Sequence, residues 1–167
     1  KHFDSLIWDA LRRFDPSRPV FVESESKKVG NVAVPTVLVE RMRASPCLDL
    51  TLPMAERVAL LMEDYSFFVT DRVYFCQRLD VLAEFRGKAV VEGWKEQVMA
   101  GNMEPVVRDL LSQHYDPVYL QSMRRNFTQY PQARAITPTD RSIQAMRGLA
   151  QQLLQGPLGS DVATPAV

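Results

Sequence analysis

Between residues 71 and 128 the chain offers no convincing strand. Gly87, Gly101 and Pro117 punctuate that stretch. They divide it into predicted helices over 71–85, 88–100, 103–114 and 117–128. Strand-like patterns occur only on either side of it. A long helical block flanked by strands and helices implies an α/β domain with a helical insertion, not an all-β or purely helical fold.

The flanking elements read as follows. Phe3, Leu6, Ile7, Ala10, Leu11 and Phe14 recur at helical spacing, predicting a helix over 3–14. Asp15-Pro16-Ser17-Arg18-Pro19 ends it. The apolar run Val20-Phe21-Val22 predicts a buried strand over 19–23. Pro35 suits the first turn of a second helix reaching Ser45, with Pro46 as its stop. Leu48, Leu50 and Leu52 alternate with Asp49 and Thr51, predicting a second strand. Pro53 opens a long helix carrying Val58, Leu61, Met62, Tyr65 and Phe68 on one side. Ala133–Ile136 is a third short strand, and a last helix runs from Asp140 to Leu154. Three strands make a small parallel sheet, so further strands are expected to pair with them.

Composition narrows the class. The 167 residues are 46% hydrophobic and 24% charged, as in a soluble globular protein. No apolar run approaches the roughly 18–20 residues that span a bilayer, so no membrane partner is expected. Lys1-His2-Phe3-Asp4 lacks the shape of a signal peptide. Two cysteines, Cys47 and Cys76, make no disulfide framework, which favours a reducing, cytoplasmic setting. Formal net charge is zero but uneven. Residues 1–45 hold 8 Lys+Arg against 6 Asp+Glu, residues 46–112 hold 7 against 11, and residues 113–155 hold 5 against 2. Basic outer thirds around an acidic middle permit an anionic partner.

The chemistry concentrates in two runs. The first follows the apolar residues 20–22: Glu23, Ser24, Glu25, Ser26, Lys27 and Lys28. An acid closing an apolar strand is the Walker B pattern, in which the acid holds Mg²⁺ or its water, making Glu23 a candidate magnesium residue. A strand-end carboxylate in a cap or salt bridge is the plainer alternative. Lys27 and Lys28, on a strand-to-helix loop, would reach phosphates. Ser24 and Ser26 would donate to phosphate or cap a helix. No GxxxxGK[ST] loop occurs in the sequence.

The second run is His114-Tyr115-Asp116-Pro117-Val118-Tyr119. His114, with the Asp116 carboxylate two residues on, is a candidate general acid or base. Tyr115 and Tyr119 are candidates for stacking on a base, with core packing as the alternative. Arg124 and Arg125 beside Tyr119 and Phe127 form a basic-aromatic patch suited to RNA, or to a phosphate-clamping lid. Arg41 and Arg43 add to the basic side. His2, Cys47, Cys76 and His114 show no zinc spacing. Residues alone leave three readings open: a tRNA-modifying enzyme, a P-loop nucleotide or small-molecule kinase, and a non-catalytic RNA-binding module.

Phe21-Val-Glu-Ser-Glu-Ser-Lys-Lys-Val-Gly30, Val34-Pro35, Glu40-Arg-Met-Arg-Ala-Ser-Pro-Cys47 and His114-Tyr-Asp-Pro-Val-Tyr119 together resemble the bacterial tRNA 2-selenouridine synthase family. The resemblance covers nearly all of residues 1–155. It implies a longer protein in which a rhodanese-like domain precedes a P-loop domain. It implies an enzyme acting on wobble 2-thiouridine of tRNA. That enzyme geranylates the sulfur from geranyl diphosphate, then replaces S-geranyl with selenium from selenophosphate. These donors would be co-substrates, with no tightly bound cofactor.

In that frame residues 1–53 are the C-terminal half of a P-loop-like α/β core, 54–128 a helical insertion, and 129–155 the final strand and helix. Residues 156–167, with Gly156-Pro157-Leu158-Gly159-Ser160, look like the remnant of a protease-cleaved tag. Glu23 would be the Walker B acid, and Ser24 to Lys28 part of a pocket for diphosphate or tRNA phosphate. Arg41, Arg43, Arg124 and Arg125 would contact the tRNA backbone. Catalysis is expected of the full-length protein, not of this segment alone.

Overall fold

The structure is a computed structural model that describes residues 1–24 and 27–155. Glu25, Ser26 and the tag-like 156–167 lie outside the described residues. The chain divides into two compact units, Lys1–Leu50 with Arg124–Val167, and Thr51–Met123. Its class is α/β, mostly helical, with a small parallel sheet.

In the first unit, α1 spans His2–Leu11. It ends where Asp15 folds the chain back: the Asp15 carboxylate accepts from the Ser17 amide at 2.9 Å and from the Ser17 hydroxyl at 2.6 Å. The expected strand over 19–23 does not form. Val20, Phe21 and Val22 lie 48–58% exposed, with no neighbouring strand to pair their backbone groups. An apolar run becomes a strand only when a partner supplies the ladder, and none of the described residues pairs with this run.

The first strands instead form a separate two-stranded hairpin that sequence spacing missed: β1 (Lys28–Val29) pairs antiparallel with β2 (Val32–Ala33). Gly30, at φ 57°, closes the two-residue connection, a conformation that costs glycine little. Lys28 therefore sits in a hairpin strand, not on a strand-to-helix loop. α2 (Thr36–Ala44) follows Pro35 and stops before Pro46, with Ser45 already extended. β3 (Leu48–Leu50) pairs in parallel with β4 (Arg134–Ile136), in the register Leu48↔Arg134, Asp49↔Ala135, Leu50↔Ile136. The parallel sheet thus holds two strands where three were expected among these residues. α10 spans Ile143–Gln155, and its start is capped by the Ser142 hydroxyl, which accepts from the Ala145 amide.

The second unit holds the buried hydrophobic core. Its helices are α3 (Met54–Asp64), α4 (Ser66–Thr70), α5 (Arg72–Asp80), α6 (Ala83–Arg86), α7 (Lys88–Ala100) and α8 (Met103–Asp109). Phe75, Cys76 and Leu79 of α5 meet Val91, Trp94 and Val98 of α7 and Met103 and Val106 of α8. Spacings of three and four put each trio on one helix face. Phe68 stacks on Phe75 at 4.8 Å between ring centroids and on Tyr74 at 5.6 Å. The long helix expected after Pro53 breaks at Tyr65, and Asp71 starts α5 afresh by accepting from the Tyr74 amide at 2.9 Å.

Candidate functional site

The second unit's chemistry gathers where its last rod changes pitch. After α8 the backbone widens into a π-helical turn, Leu110–Tyr115, and then resumes as α9, Asp116–Asn126. Pro117 explains the position. It has no amide hydrogen to return to Gln113, and its ring crowds that carbonyl. The rod loosens in the residues just before it, and π-turns of this kind gather at functional sites. His114, Tyr115 and Asp116 are the residues the change of pitch presents.

Each finds a different neighbour. Arg86, the last residue of α6, approaches His114: its Nε and Nη2 both lie 3.3 Å from Nδ1 of the imidazole. A guanidinium only donates, so Nδ1 accepts, and the neutral ring carries its proton on Nε2. The Phe85 ring lies tilted 6.4 Å from the imidazole. Asp116 is claimed by Arg57 of α3 in a two-point pair at 2.6 and 2.9 Å. Hydrogen bonding from Arg57 holds the Asp116 carboxyl below the usual carboxylate range, and raises the guanidinium in return. A carboxylate so engaged is a poor proton acceptor but a firm anchor for the start of α9. Tyr115 and Tyr119 stack nearly parallel, 5.7 Å apart at 10°.

Arg57 and Arg86 were not singled out in the sequence. Each stands in an ordinary helical pattern, and its partner lies 59 or 28 residues away, so local spacing carried no signal. Arg86 alone left a hint, as a basic residue in the last turn before a glycine.

The predicted residues of the first unit are more dispersed. Glu23 is exposed and ends no strand, which removes the geometric premise of the Walker B reading. Ser24 is half-buried, and Lys27 and Lys28 are exposed at the hairpin. Val34 donates its amide to the Lys27 carbonyl at 2.8 Å, which ties the hairpin's base. Arg41 is exposed and Arg43 half-buried in the last turn of α2. Arg124 and Arg125 are exposed in the last turn of α9. The Arg43 carbonyl accepts from the Thr128 amide at 3.0 Å, which brings the end of α2 to the segment that follows α9.

Among the described residues no group of three or more His, Cys, Asp or Glu is arranged to hold a metal ion. An exposed Glu23 alone does not fit a magnesium site. Cys76 is buried and Cys47 half-buried, and burial raises both thiols above the usual range, so neither is set up as a nucleophile. Among the described residues no helix is long and apolar enough to cross a membrane.

Fold and site together define a mostly helical α/β protein with a π-turn presenting a histidine, an ion pair and a stacked tyrosine pair. Residues 1–79 match the family model described as the tRNA 2-selenouridine synthase AAA domain. Curated relatives agree with it. A tRNA 2-selenouridine synthase of Marinobacter nauticus is 27% identical over 133 residues, covering 64% of this chain and 36% of its own length. One from Sulfurovum sp. is 24% identical over 149 residues, covering 74% and 41%. One from Cupriavidus necator is 40% identical over 63 residues, covering 37% and 17%. Over these stretches the chain is similar to the tRNA 2-selenouridine synthases. It spans about two fifths or less of the length of these relatives. No solved structure matches it significantly.

Proposed function

We propose that the chain is part of a tRNA-modifying transferase that converts wobble 2-thiouridine to 2-selenouridine through an S-geranyl intermediate. Geranyl diphosphate and selenophosphate are the donors. The observation that carries this reading is the family match over residues 1–79, a stretch that contains the Glu23–Lys28 run. In this reading the chain supplies part of a P-loop-like, tRNA-binding domain to the full-length cytoplasmic enzyme, whose rhodanese-like domain lies elsewhere in the protein. Alkylation of the thiouridine sulfur forms the sulfur–carbon bond and releases diphosphate. Selenophosphate selenium then bonds to the same ring carbon as the carbon–sulfur bond breaks and geranylthiol leaves, and water cleaves the selenium–phosphorus bond to release phosphate.

Residue roles follow from charge and position. The run Glu23, Ser24, Glu25, Ser26, Lys27 and Lys28 serves a diphosphate or a tRNA phosphate, the lysines as mobile point charges. Arg41, Arg43, Arg124 and Arg125 contact the tRNA backbone. The Tyr115–Tyr119 pair offers an aromatic platform for an unstacked base. His114 handles a proton, and Asp116 acts through its grip on Arg57.

The test uses full-length protein. Mass spectrometry of tRNA treated with geranyl diphosphate and selenophosphate should reveal S-geranyl and seleno products. Lys27→Ala with Lys28→Ala should weaken tRNA binding or geranylation about tenfold, as loss of two phosphate contacts does. Unchanged binding and turnover would remove those lysines from the site. Phosphoryl transfer from ATP with no tRNA product would overturn the reading in favour of a kinase.

A further inference from the structure

We infer that Arg86 and His114 form an anion-binding site that takes a phosphate group. Three observations converge. First, Arg86 is half-buried, and among the described residues no carboxylate pairs with it; its neighbour is the imidazole. Arg57, on the same unit, has its carboxylate in Asp116. A guanidinium partly removed from water with no counter-charge is costly, and an anion relieves that cost. Two of its five N–H groups face Nδ1, leaving three for a ligand.

Second, the guanidinium fixes the imidazole tautomer. With Nδ1 accepting, Nε2–H is a donor. No buried side-chain nitrogen or oxygen among the described residues lacks a partner. His114 is half-buried, and its described contacts are those to Arg86 and Phe85. Nε2 therefore opens to solvent, and among the described residues no carboxylate is bonded to either donor.

Third, Arg86 stands immediately before Gly87, the residue from which α7 starts. The first turn of that 13-residue helix, which follows Arg86 and Gly87 in sequence, carries unpaired amides and the positive end of its dipole. A phosphate oxyanion suits this combination: a forked cation, a neutral N–H donor and a helix start. The oxyanion comes from a free diphosphate or from an RNA backbone, and the chemistry is common to both. The inference does not depend on the selenium or geranyl steps, because its readout is binding.

The experiment measures affinity of the full-length protein by titration calorimetry with two probes, inorganic pyrophosphate and a short RNA stem-loop. Arg86→Gln should weaken binding of at least one probe about tenfold or more, the usual effect of losing a charged hydrogen bond. Two histidine replacements separate the ring's two roles. His114→Asn keeps an acceptor near the Nδ1 position but no donor at Nε2, and should lose affinity about tenfold. His114→Gln keeps a donor near Nε2 and should stay within about threefold of the parent, because the lost contact is the protein's own. Circular dichroism and melting temperature confirm that each variant is folded. Loss for pyrophosphate alone assigns a free diphosphate, and loss for RNA assigns the backbone. Unchanged affinity of both probes for folded Arg86→Gln, or equal affinity of the Asn and Gln variants, would overturn the site.

Discussion

Arg57 and Asp116 stand 59 residues apart in sequence and meet through two hydrogen bonds, at 2.6 and 2.9 Å. One end of the pair is on α3 and the other is the first residue of α9. The pair fastens the start of the helix that follows the π-turn. Both side chains are a little over one quarter exposed, so the contact is shielded without being sealed from water.

Asp116→Asn should destabilise the chain by about 1–3 kcal/mol at pH 7, the range for hydrogen bonds to charged groups. The pH dependence has a definite sign. Hydrogen bonding from Arg57 makes the folded carboxyl titrate below the ordinary aspartate value. Its contribution is therefore complete above that value and disappears as pH falls through the lower, folded one. Denaturation from pH 7 to pH 2 should show a shallower acid loss for Asp116→Asn than for the parent. Parallel acid limbs would show that Arg57 does not favour the ionised form.

Trp94 is the second prediction. It is 2% exposed in the middle of α7, and its indole N–H donates to Asp109 Oδ2 at 3.2 Å. Trp94→Phe keeps most of the packing and should cost about 1–2 kcal/mol. Trp94→Ala opens a cavity beneath α5 and α8 and should cost about 3–5 kcal/mol. Urea melts of both variants should resolve the two steps, and equal losses would assign the whole effect to the hydrogen bond.

Two glycines on one helix should respond to alanine in opposite directions. Gly93 lies inside α7 with nothing within 4 Å of an added Cβ, so Gly93→Ala should stabilise by about 0.5–1 kcal/mol. Gly101 ends the same helix in the left-handed conformation at φ 92°. A Cβ there meets the Arg72 guanidinium at 3.2 Å, and that guanidinium already donates to the Met99 carbonyl. Gly101→Ala should cost about 1–2 kcal/mol. Melting temperatures moving the same way would contradict this assignment.

Thiol reactivity supplies the fourth. Burial raises both Cys47 and Cys76, so little thiolate exists near neutral pH. Both should react slowly with an aromatic disulfide reagent at pH 7, Cys47 faster than the more buried Cys76, and both at once in denaturant. Rapid modification of Cys76 in the folded chain would show that the core between α5 and α7 opens readily.

Patterns closed within a few residues were readable in the sequence. The alternation of Leu48, Asp49 and Leu50 gave a real strand, and Ala133–Ile136 supplied its parallel neighbour. Gly87 and Gly101 mark the true bounds of α7. Val20–Val22 misled because an apolar run specifies a strand only if another strand is there to receive it. The break at Tyr65 was hidden by apolar spacing that continues across it, and only the Asp71 cap reveals the new start. In the candidate site, the sequence marked the histidine and the tyrosines by their type. Their partners Arg86 and Arg57 depend on helices packing across tens of residues, which no local period records.

The π-turn at Leu110–Tyr115 gives the rod from Met103 to Asn126 one residue to spare. A π-turn advances about 80° per residue against about 100° in an α-helix, so six residues in the one sweep nearly the angle of five in the other. Removing one residue inside the turn would return a regular α-helix and leave Asp116 close to its present phase beside Arg57. Removing one residue from the regular turns of α8 would instead rotate Asp116 by roughly 100° about the axis and off Arg57. Two deletions a few residues apart thus differ in kind: one is absorbed by the bulge, the other rewrites the angular address of each side chain that follows.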